Sequence, residues 1–330
     1  MKDNGYRHPS FASSGDRFVR HTTLRQLQIM EAIVRLGSFT RAAEELFLTQ
    51  PTVSMQVKKL ADTVGMPLFQ PAGRGVEATD AGREVYGAAR EILNSLAELE
   101  TRLADLEGLK RGRLRLGVIT TAKYFAPEIL GAFCELYPGV DVSLKVTNLE
   151  RIQERLMANE DDLSIIGESR VGELDAEIIP FAPNPLVMVA RRDHPLVKER
   201  NIPLSRIAQE QFLLREPGSG IRGAVMKRFQ EQGLRPNVRM ELGSNEAIKH
   251  AVVGGLGISA LSLHSFTLEG PNGPLALLDV EGFPILRCWH LAHPRNRDLS
   301  LVAKTFLSFA ISREPDIRAR MESLLKEMSP

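Results

Sequence analysis

The chain has 330 residues, 43% of them hydrophobic and 25% charged, the balance of a globular protein long enough for two or three cores. Lys plus Arg number 42 and Asp plus Glu 41, a net charge of +1, which excludes a uniformly basic coat for nucleic acid but not a local basic patch. Two cysteines, Cys134 and Cys288, are too few for a disulfide scaffold or a paired-cysteine zinc site; no apolar run approaches the ~20 residues that span a bilayer, so a cytoplasmic protein is expected.

Residues 1–21 mix Ser, Gly, Asp, Arg and Pro without any period and lack the apolar stretch of a secretory signal. They read as a disordered lead. From Thr23, Leu24, Leu27, Ile29, Met30, Ile33 and Val34 recur at helical spacing until Gly37. Ser38 then caps a second helix, Thr40 to Phe47. After Leu48-Thr49 a third follows, with Thr49 as N-cap, Pro51 in its first turn and Gly65 past its end. Val53, Val57, Leu60 and Val64 form its apolar stripe. Two short helices across a tight turn, with the small pair Ala42-Ala43 allowing close approach, make a helix-turn-helix pattern. Leu68-Phe69 and Val76-Glu77-Ala78 flank a Pro-Ala-Gly-Arg-Gly turn, a two-stranded wing tipped by Arg74. Residues 22–80 are thus a winged helix-turn-helix.

Residues 81–112 read as a linker helix. Val85, Ala89, Ile92, Leu96, Leu99, Leu103 and Leu106 are spaced alternately by four and three, a heptad seam that calls for a partner helix. The other reading is one amphipathic helix packed on its own domain. From Arg113 strand and helix alternate through Gly167, which predicts a parallel βαβαβ sheet. The Pro-rich stretch Pro180–Pro185 interrupts it, a second βα series follows, and a second breaker runs Gly270–Pro274. The expected fold is therefore an α+β winged helix-turn-helix, a long coiled-coil linker helix, and a two-lobed α/β, periplasmic-binding-protein-like effector domain over residues 113–312. Lobe 1 would hold 113–181 and 275–312, lobe 2 would hold 182–274, and residues 313–330 would be a tail.

On the third helix the face opposite the apolar stripe carries Pro51, Thr52, Met55 and Lys59, flanked by Ser54 and Lys58, with Gln50 at the tip. Gln suits bidentate contact with adenine, Ser pairs with either partner, and Met or Pro can touch a thymine methyl. Lys58, Lys59 and Arg74 can neutralise phosphates. Residues 22–80 contain six basic and six acidic residues, so binding must rest on where the charges sit. An ordinary helical bundle with a solvated polar face fits the periodicity as well. Enzyme signatures are missing: the seven His form no HExxH, Gly-x-Ser-x-Gly is absent, and Gly254-Gly255-x-Gly257 follows a helix where a dinucleotide loop follows a strand. Residues 113–310 by themselves would also suit a clamp-fold enzyme or binding protein with an N-terminal interaction module.

Gly37-Ser38-Phe39-Thr40-Arg41-Ala42-Ala43-Glu44-Glu45-Leu46, Thr49-Gln50-Pro51-Thr52-Val53-Ser54, Gly65-Met66-Pro67-Leu68-Phe69 and Gly73-Arg74-x-Val76-x-x-Thr79-x-x-Gly82 closely resemble the LysR-type transcriptional regulators. The likeness extends through Asp162-Leu163-Ser164-Ile165-Ile166-Gly167 and Gly254-Gly255-Leu256-Gly257-Ile258. It implies a regulator that binds double-stranded promoter DNA, with Ser38 beside the reading helix and base contacts at Gln50, Pro51, Ser54 and Met55. Many members carry Arg where this chain has Met55. It also implies a homodimer through the linker helix, a homotetramer, RNA polymerase as a partner, and no membrane association. The segments Thr120-Thr121-Ala122-Lys123-Tyr124-Phe125 and Arg215-Glu216-Pro217-Gly218-Ser219-Gly220 look like those of the Calvin-cycle (RuBisCO operon) regulators. A regulator of another metabolic operon is the alternative.

In a two-lobed clamp the ligand lies at the carboxyl ends of strands. Three helix starts fall there: Thr120, Thr121 and Lys123 after the first strand, Asn148 after the second, and Ser219, Gly220 and Arg222 following Arg215 in the other lobe. Helix N-termini with nearby cations attract anions, although capping alone also explains Thr121, Asn148 and Ser219. With the resemblance, the expectation is no resident cofactor but a small anionic co-inducer, a sugar phosphate or NADPH, gripped by Arg215 and Arg222.

Overall fold

Side-chain caps and left-handed glycines set the helix boundaries of the N-terminal part. In the computed structural model, which describes residues 16–73, 75–106, 111–168, 175–295 and 297–329, α1 (Asp16–His21), α2 (Leu24–Leu36), α3 (Phe39–Glu45) and α4 (Gln50–Val64) come first. At the start of α2, Thr23 Oγ1 accepts from the Gln26 amide at 3.2 Å while Gln26 Oε1 accepts from the Thr23 amide at 2.9 Å, a closed capping box. Ser38 and Thr49 accept from the Arg41 and Thr52 amides to cap α3 and α4. Gly37 and Gly65 end α2 and α4 at φ 65° and 80°, where a side chain would be strained. Ile29, Ile33, Ala42, Ala43, Val53 and Val57 are buried together as the core of the helix-turn-helix.

Strands β1 (Phe69–Ala72) and β2 (Gly75–Ala78) pair antiparallel as the wing; its tip, Arg74, lies outside the described residues. Helix α5 (Asp80–Leu106) follows. Its start presses on the chain entering the wing so closely that a Cβ on Gly82 would fall 2.0 Å from the Leu68 carbonyl oxygen. Contacts divide the chain into two units, Met1–Glu100 and Thr101–Pro330.

The second unit holds β3 (Gly112–Ile119), α6 (Ala126–Leu136), β4 (Val140–Thr147), α7 (Leu149–Met157), β5 (Leu163–Gly167) and β6 (Ala176–Pro183). Next come β7 (Leu186–Arg191), α8 (Leu204–Ile207), β8 (Gln211–Arg215), α9 (Gly220–Glu231), β9 (Asn237–Leu242), α10 (Asn245–Val253), β10 (Ile258–Ser262) and β11 (Leu275–Leu277). The chain ends in β12 (Cys288–Pro294), α11 (Leu301–Ser312) and α12 (Glu314–Met328). Two five-stranded sheets result, ordered β4-β3-β5-β12-β6 and β11-β7-β10-β8-β9. Strands β3, β4 and β5 are parallel, but β12 runs antiparallel to both β5 and β6, so the first sheet is mixed. The crossovers between lobes lie side by side: the Asn184 amide donates to the Arg287 carbonyl at 2.7 Å, and Leu186 and Ile285 exchange amide–carbonyl bonds at 2.9 Å.

The structure corrects four expectations. Asp16–His21 of the supposed disordered lead is helical, with Phe18 packed beside Met30 and Leu60; residues 1–15 lie outside the described residues. Pro180–Pro183 of the Pro-rich stretch is the end of strand β6, and because β6 is an edge strand its prolines interrupt no ladder on the free side; the chain leaves the sheet only at Asn184. Leu275–Leu277 pairs with β7 and belongs to lobe 2, so the return to lobe 1 comes at Ile285–Arg287 and not at residue 275. Residues 313–330, taken for a tail, contain α12. Ile317 of this helix packs on the lobe 1 core, and Arg320 pairs with Glu128 of α6. Met321, Leu324 and Met328 are buried with Leu275, Leu277 and Phe266 of lobe 2. One helix thus braces both lobes. Leu324→Ala should destabilise the second unit by about 2–4 kcal/mol, seen as a lower denaturant midpoint; an unchanged midpoint would contradict this packing.

Candidate DNA-reading face and interlobe anion site

Helix α4 buries Val53, Val57 and Leu60 and turns Gln50, Pro51, Met55, Lys58 and Lys59 to solvent, with Thr52 and Ser54 half-buried. Gln50 Nε2 donates to Ser54 Oγ at 3.0 Å, and the Thr49 and Thr52 hydroxyls lie 2.8 Å apart. These pairs hold the amide and hydroxyls along one exposed ridge. Met55 is 48% exposed in the middle of it. Ser38, by contrast, uses its hydroxyl as the α3 cap. Phe47 is not in a helix but stands in the turn before α4, at φ 53° and 96% exposed.

The even charge count resolves spatially. Arg35 forms ion pairs with Glu31 and Glu45, and its guanidinium, as hydrogen-bond donor, holds the Glu45 carboxyl below the usual range. Arg25 donates to the Leu46 carbonyl at 2.9 Å. Lys58 and Lys59 have no ion pair among the described residues, so their positive charge remains on the ridge of α4.

The heptad seam divides along α5. Val85 and Ala89 are buried in the winged unit itself, beside Leu60 and Leu68 for Val85. They serve the chain's own core, contrary to the expectation that they face a partner. Ile92, Leu96, Leu99 and Leu103 remain 40%, 38%, 48% and 55% exposed, an apolar stripe on an otherwise polar helix. The side chain of Leu106 lies outside what is described.

Between the lobes lies a cavity of ≈ 120 Å³. Thr120, Thr121, Asn148, Arg215, Ser219 and Gly220 all line it, as the sequence suggests. Asn148 Oδ1 caps α7, accepting from the Arg151 amide at 2.9 Å. Ser219 makes no capping bond, nor does Thr121, which opens a three-residue 3₁₀ turn and not the start of α6. Arg215, 3% exposed, donates Nε and Nη2 to the Glu216 carboxylate at 2.6 and 2.7 Å and Nη1 to Asn245 Oδ1 at 2.5 Å.

Two expected cations are absent from the cavity wall. Arg222 is drawn to Glu241 at 2.6 Å and to the Arg215 carbonyl at 2.9 Å. Lys123 Nζ sits 5.1 Å over the Tyr124 ring. In their place stands Arg287, from the returning crossover. Its Nη1 donates to the Gly220 carbonyl at 3.0 Å, tying lobe 1 to the start of α9 in lobe 2, and Glu168 lies 3.7 Å from its Nε. Burial lowers the Arg287 pKa, although guanidinium stays charged. Asn184, 3% exposed on the other crossover, accepts from Ser262 Oγ at 2.7 Å. A second tie across the lobes runs from the Tyr124 hydroxyl to Glu246 at 2.7 Å, and burial raises the pKa of that phenol. Sequence reasoning missed Arg287 and Asn184; their positions beside Pro183 and Pro185 and beside Ile285 were the available signal.

A winged helix-turn-helix with an uncommitted basic ridge, joined to a clamp with polar groups from both lobes at its seam, defines a ligand-responsive transcriptional regulator. The family comparisons agree. Residues 24–83 match the bacterial regulatory helix-turn-helix protein, lysR family, and residues 107–314 match the LysR substrate binding domain. The chain is 51% identical over 296 residues to the HTH-type transcriptional activator CmpR of Synechocystis sp., covering 90% of this chain and 97% of that one. It is 44% identical to the RuBisCO operon transcriptional regulator of Acidithiobacillus ferrooxidans, covering 90% and 96%. The Synechocystis PCC6803 CcmR regulatory domain, solved in complex with 2-PG, is 49% identical and superposes with a TM-score of 0.60, covering 63% of this chain and 100% of that one. The chain belongs to the LysR family; it is a DNA-binding transcriptional regulator and not an enzyme. Among the described residues no helix is long and apolar enough to cross a membrane.

Proposed function

We propose that this regulator controls carbon-fixation genes in response to a small phosphorylated anion bound between its lobes. The observation that carries the reading is the pair of buried guanidiniums, Arg215 and Arg287, placed on opposite lobes of one cavity. Its wall adds the hydroxyls of Thr121 and Ser219 and the first turn of α9. Such donors suit a phosphate, which accepts charge-assisted bonds from several directions. The CcmR domain in complex with 2-PG and the relatives named as RuBisCO operon regulators support the chemical class and the pathway. The protein works without a resident cofactor, in the cytoplasm, as a homodimer that pairs into a homotetramer on promoter DNA.

On DNA, Gln50, Pro51, Ser54 and Met55 read base edges in the major groove, with Thr52 and Ser38 beside them, while Lys58, Lys59 and Arg74 meet phosphates. Met55 offers a thymine methyl a partner where a guanidinium would seek guanine. Ile92, Leu96, Leu99 and Leu103, with Leu106, pack against the same helix of a second copy. Ligand binding shifts the population between two lobe arrangements and so changes how the dimers hold DNA, and RNA polymerase reads the result.

Three measurements test these assignments. In calorimetry with 2-PG, ribulose bisphosphate and NADPH, at least one anion should bind, and Arg215→Ala should weaken it by about 1.5–3 kcal/mol, the worth of a hydrogen bond to a charged group; unchanged affinity would place the site elsewhere. In gel-shift titrations over a salt series, Gln50→Ala should cost about 1–3 kcal/mol at the operator alone, and Lys59→Ala should weaken every duplex and flatten the salt slope by about one. Unchanged operator affinity in both variants would move the reading surface. Leu99→Asp should lower the mass seen by light scattering, because a carboxylate in a helix–helix core costs several kcal/mol, roughly 3–5 when unpaired; an unchanged mass would show that α5 is not the dimer interface.

A further inference from the structure

The cation best placed to receive an anion in the interlobe cavity already holds one. Glu216 takes both N–H groups on the Nε–Nη2 edge of Arg215, at 2.6 and 2.7 Å. That edge is the fork a phosphate would use. The two partners differ in freedom. Arg215 is 3% exposed and anchored at its third nitrogen by Asn245, whereas the Glu216 side chain is 37% exposed. The backbone on either side is fixed: the Glu216 amide donates to the Leu242 carbonyl at 3.2 Å, and its carbonyl accepts from the Ser219 amide at 3.2 Å. The carboxylate can therefore rotate out to water with neither the guanidinium nor the loop moving.

Resting on the assignment of this cavity to an anionic effector, we infer that Glu216 is a built-in competitor that selects phosphorylated effectors over plain carboxylates. An incoming anion reaches the fork of Arg215 by exchanging with the Glu216 carboxylate. A carboxylate ligand that does so replaces like with like and gains little. A phosphate monoester carries close to two charges and three acceptor oxygens. Two of those oxygens take the fork, and the third is left for the uncapped Ser219 or Thr121 hydroxyl on the cavity wall. Glu216 thus sets a threshold that the phosphate passes and the carboxylate does not.

The test is calorimetry on the full-length chain with two probes, 2-PG and the dicarboxylate malonate. Glu216→Gln, which keeps the shape and removes the charge, should bind 2-PG about tenfold more tightly and should bring malonate into the measurable range. Glu135→Gln is the control for net charge, since Glu135 is exposed on α6 and does not line the cavity; it should change either affinity by less than about threefold. In an Arg215→Ala background the gain from Glu216→Gln should vanish, the signature of direct coupling. Binding that is unchanged or weaker in Glu216→Gln, while Arg215→Ala weakens it, would make Glu216 an orienting partner and overturn the inference alone. An equal gain with and without Arg215 would reduce the effect to general charge and overturn it too. Affinity left unchanged by Arg215→Ala would overturn the cavity assignment itself.

Discussion

The two crossovers between the lobes are the constraint on which the second unit depends. Asn184 and Arg287, and then Leu186 and Ile285, hold the outgoing and returning segments together by backbone hydrogen bonds of 2.7 and 2.9 Å. Because the two segments run side by side, β3 and β4 of one lobe and β8 of the other deliver their carboxyl ends to one cavity. The same pair of segments supplies Asn184 and Arg287 to its wall. The segments that link the lobes and the floor of the cavity are thus one piece of structure.

The lobes are joined on the other side as well. Helix α12 leans on the lobe 1 core through Ile317 and buries Met321, Leu324 and Met328 in lobe 2. Arg287 to Gly220 and Tyr124 to Glu246 are further ties across the gap. Buried apolar contacts of this kind hold an interface more firmly than exposed ion pairs do. The two lobes are therefore joined by α12 and by these ties as well as by the crossovers.

The N-terminal unit was legible because its signals are local. Caps at Ser38 and Thr49, stops at Gly37 and Gly65, and a stripe of Val53, Val57 and Leu60 each act within one or two turns. What the sequence hid depends on distant partners. β6 runs through Pro180 only because it lies at an edge, and β11 is three residues long and defined by β7. Val85 and Ala89 continue a heptad pattern that extends past the point where the helix leaves its own core. At the cleft, strand ends and helix starts located Thr121, Asn148, Arg215 and Ser219. Side-chain direction did not follow from position: Arg222 lies near the start of α9 but is captured by Glu241. Arg287 could not be found without knowing where the chain returns.

In the function proposed above, one anion is held by both lobes at once. Hydrogen–deuterium exchange on the full-length chain, with and without saturating 2-PG, tests this. Exchange should slow at Thr120–Lys123 of lobe 1 and at Ser219–Ile221 of lobe 2 in the same experiment, with the crossover segments following. Protection confined to one lobe, or appearing only outside the cavity, would contradict it.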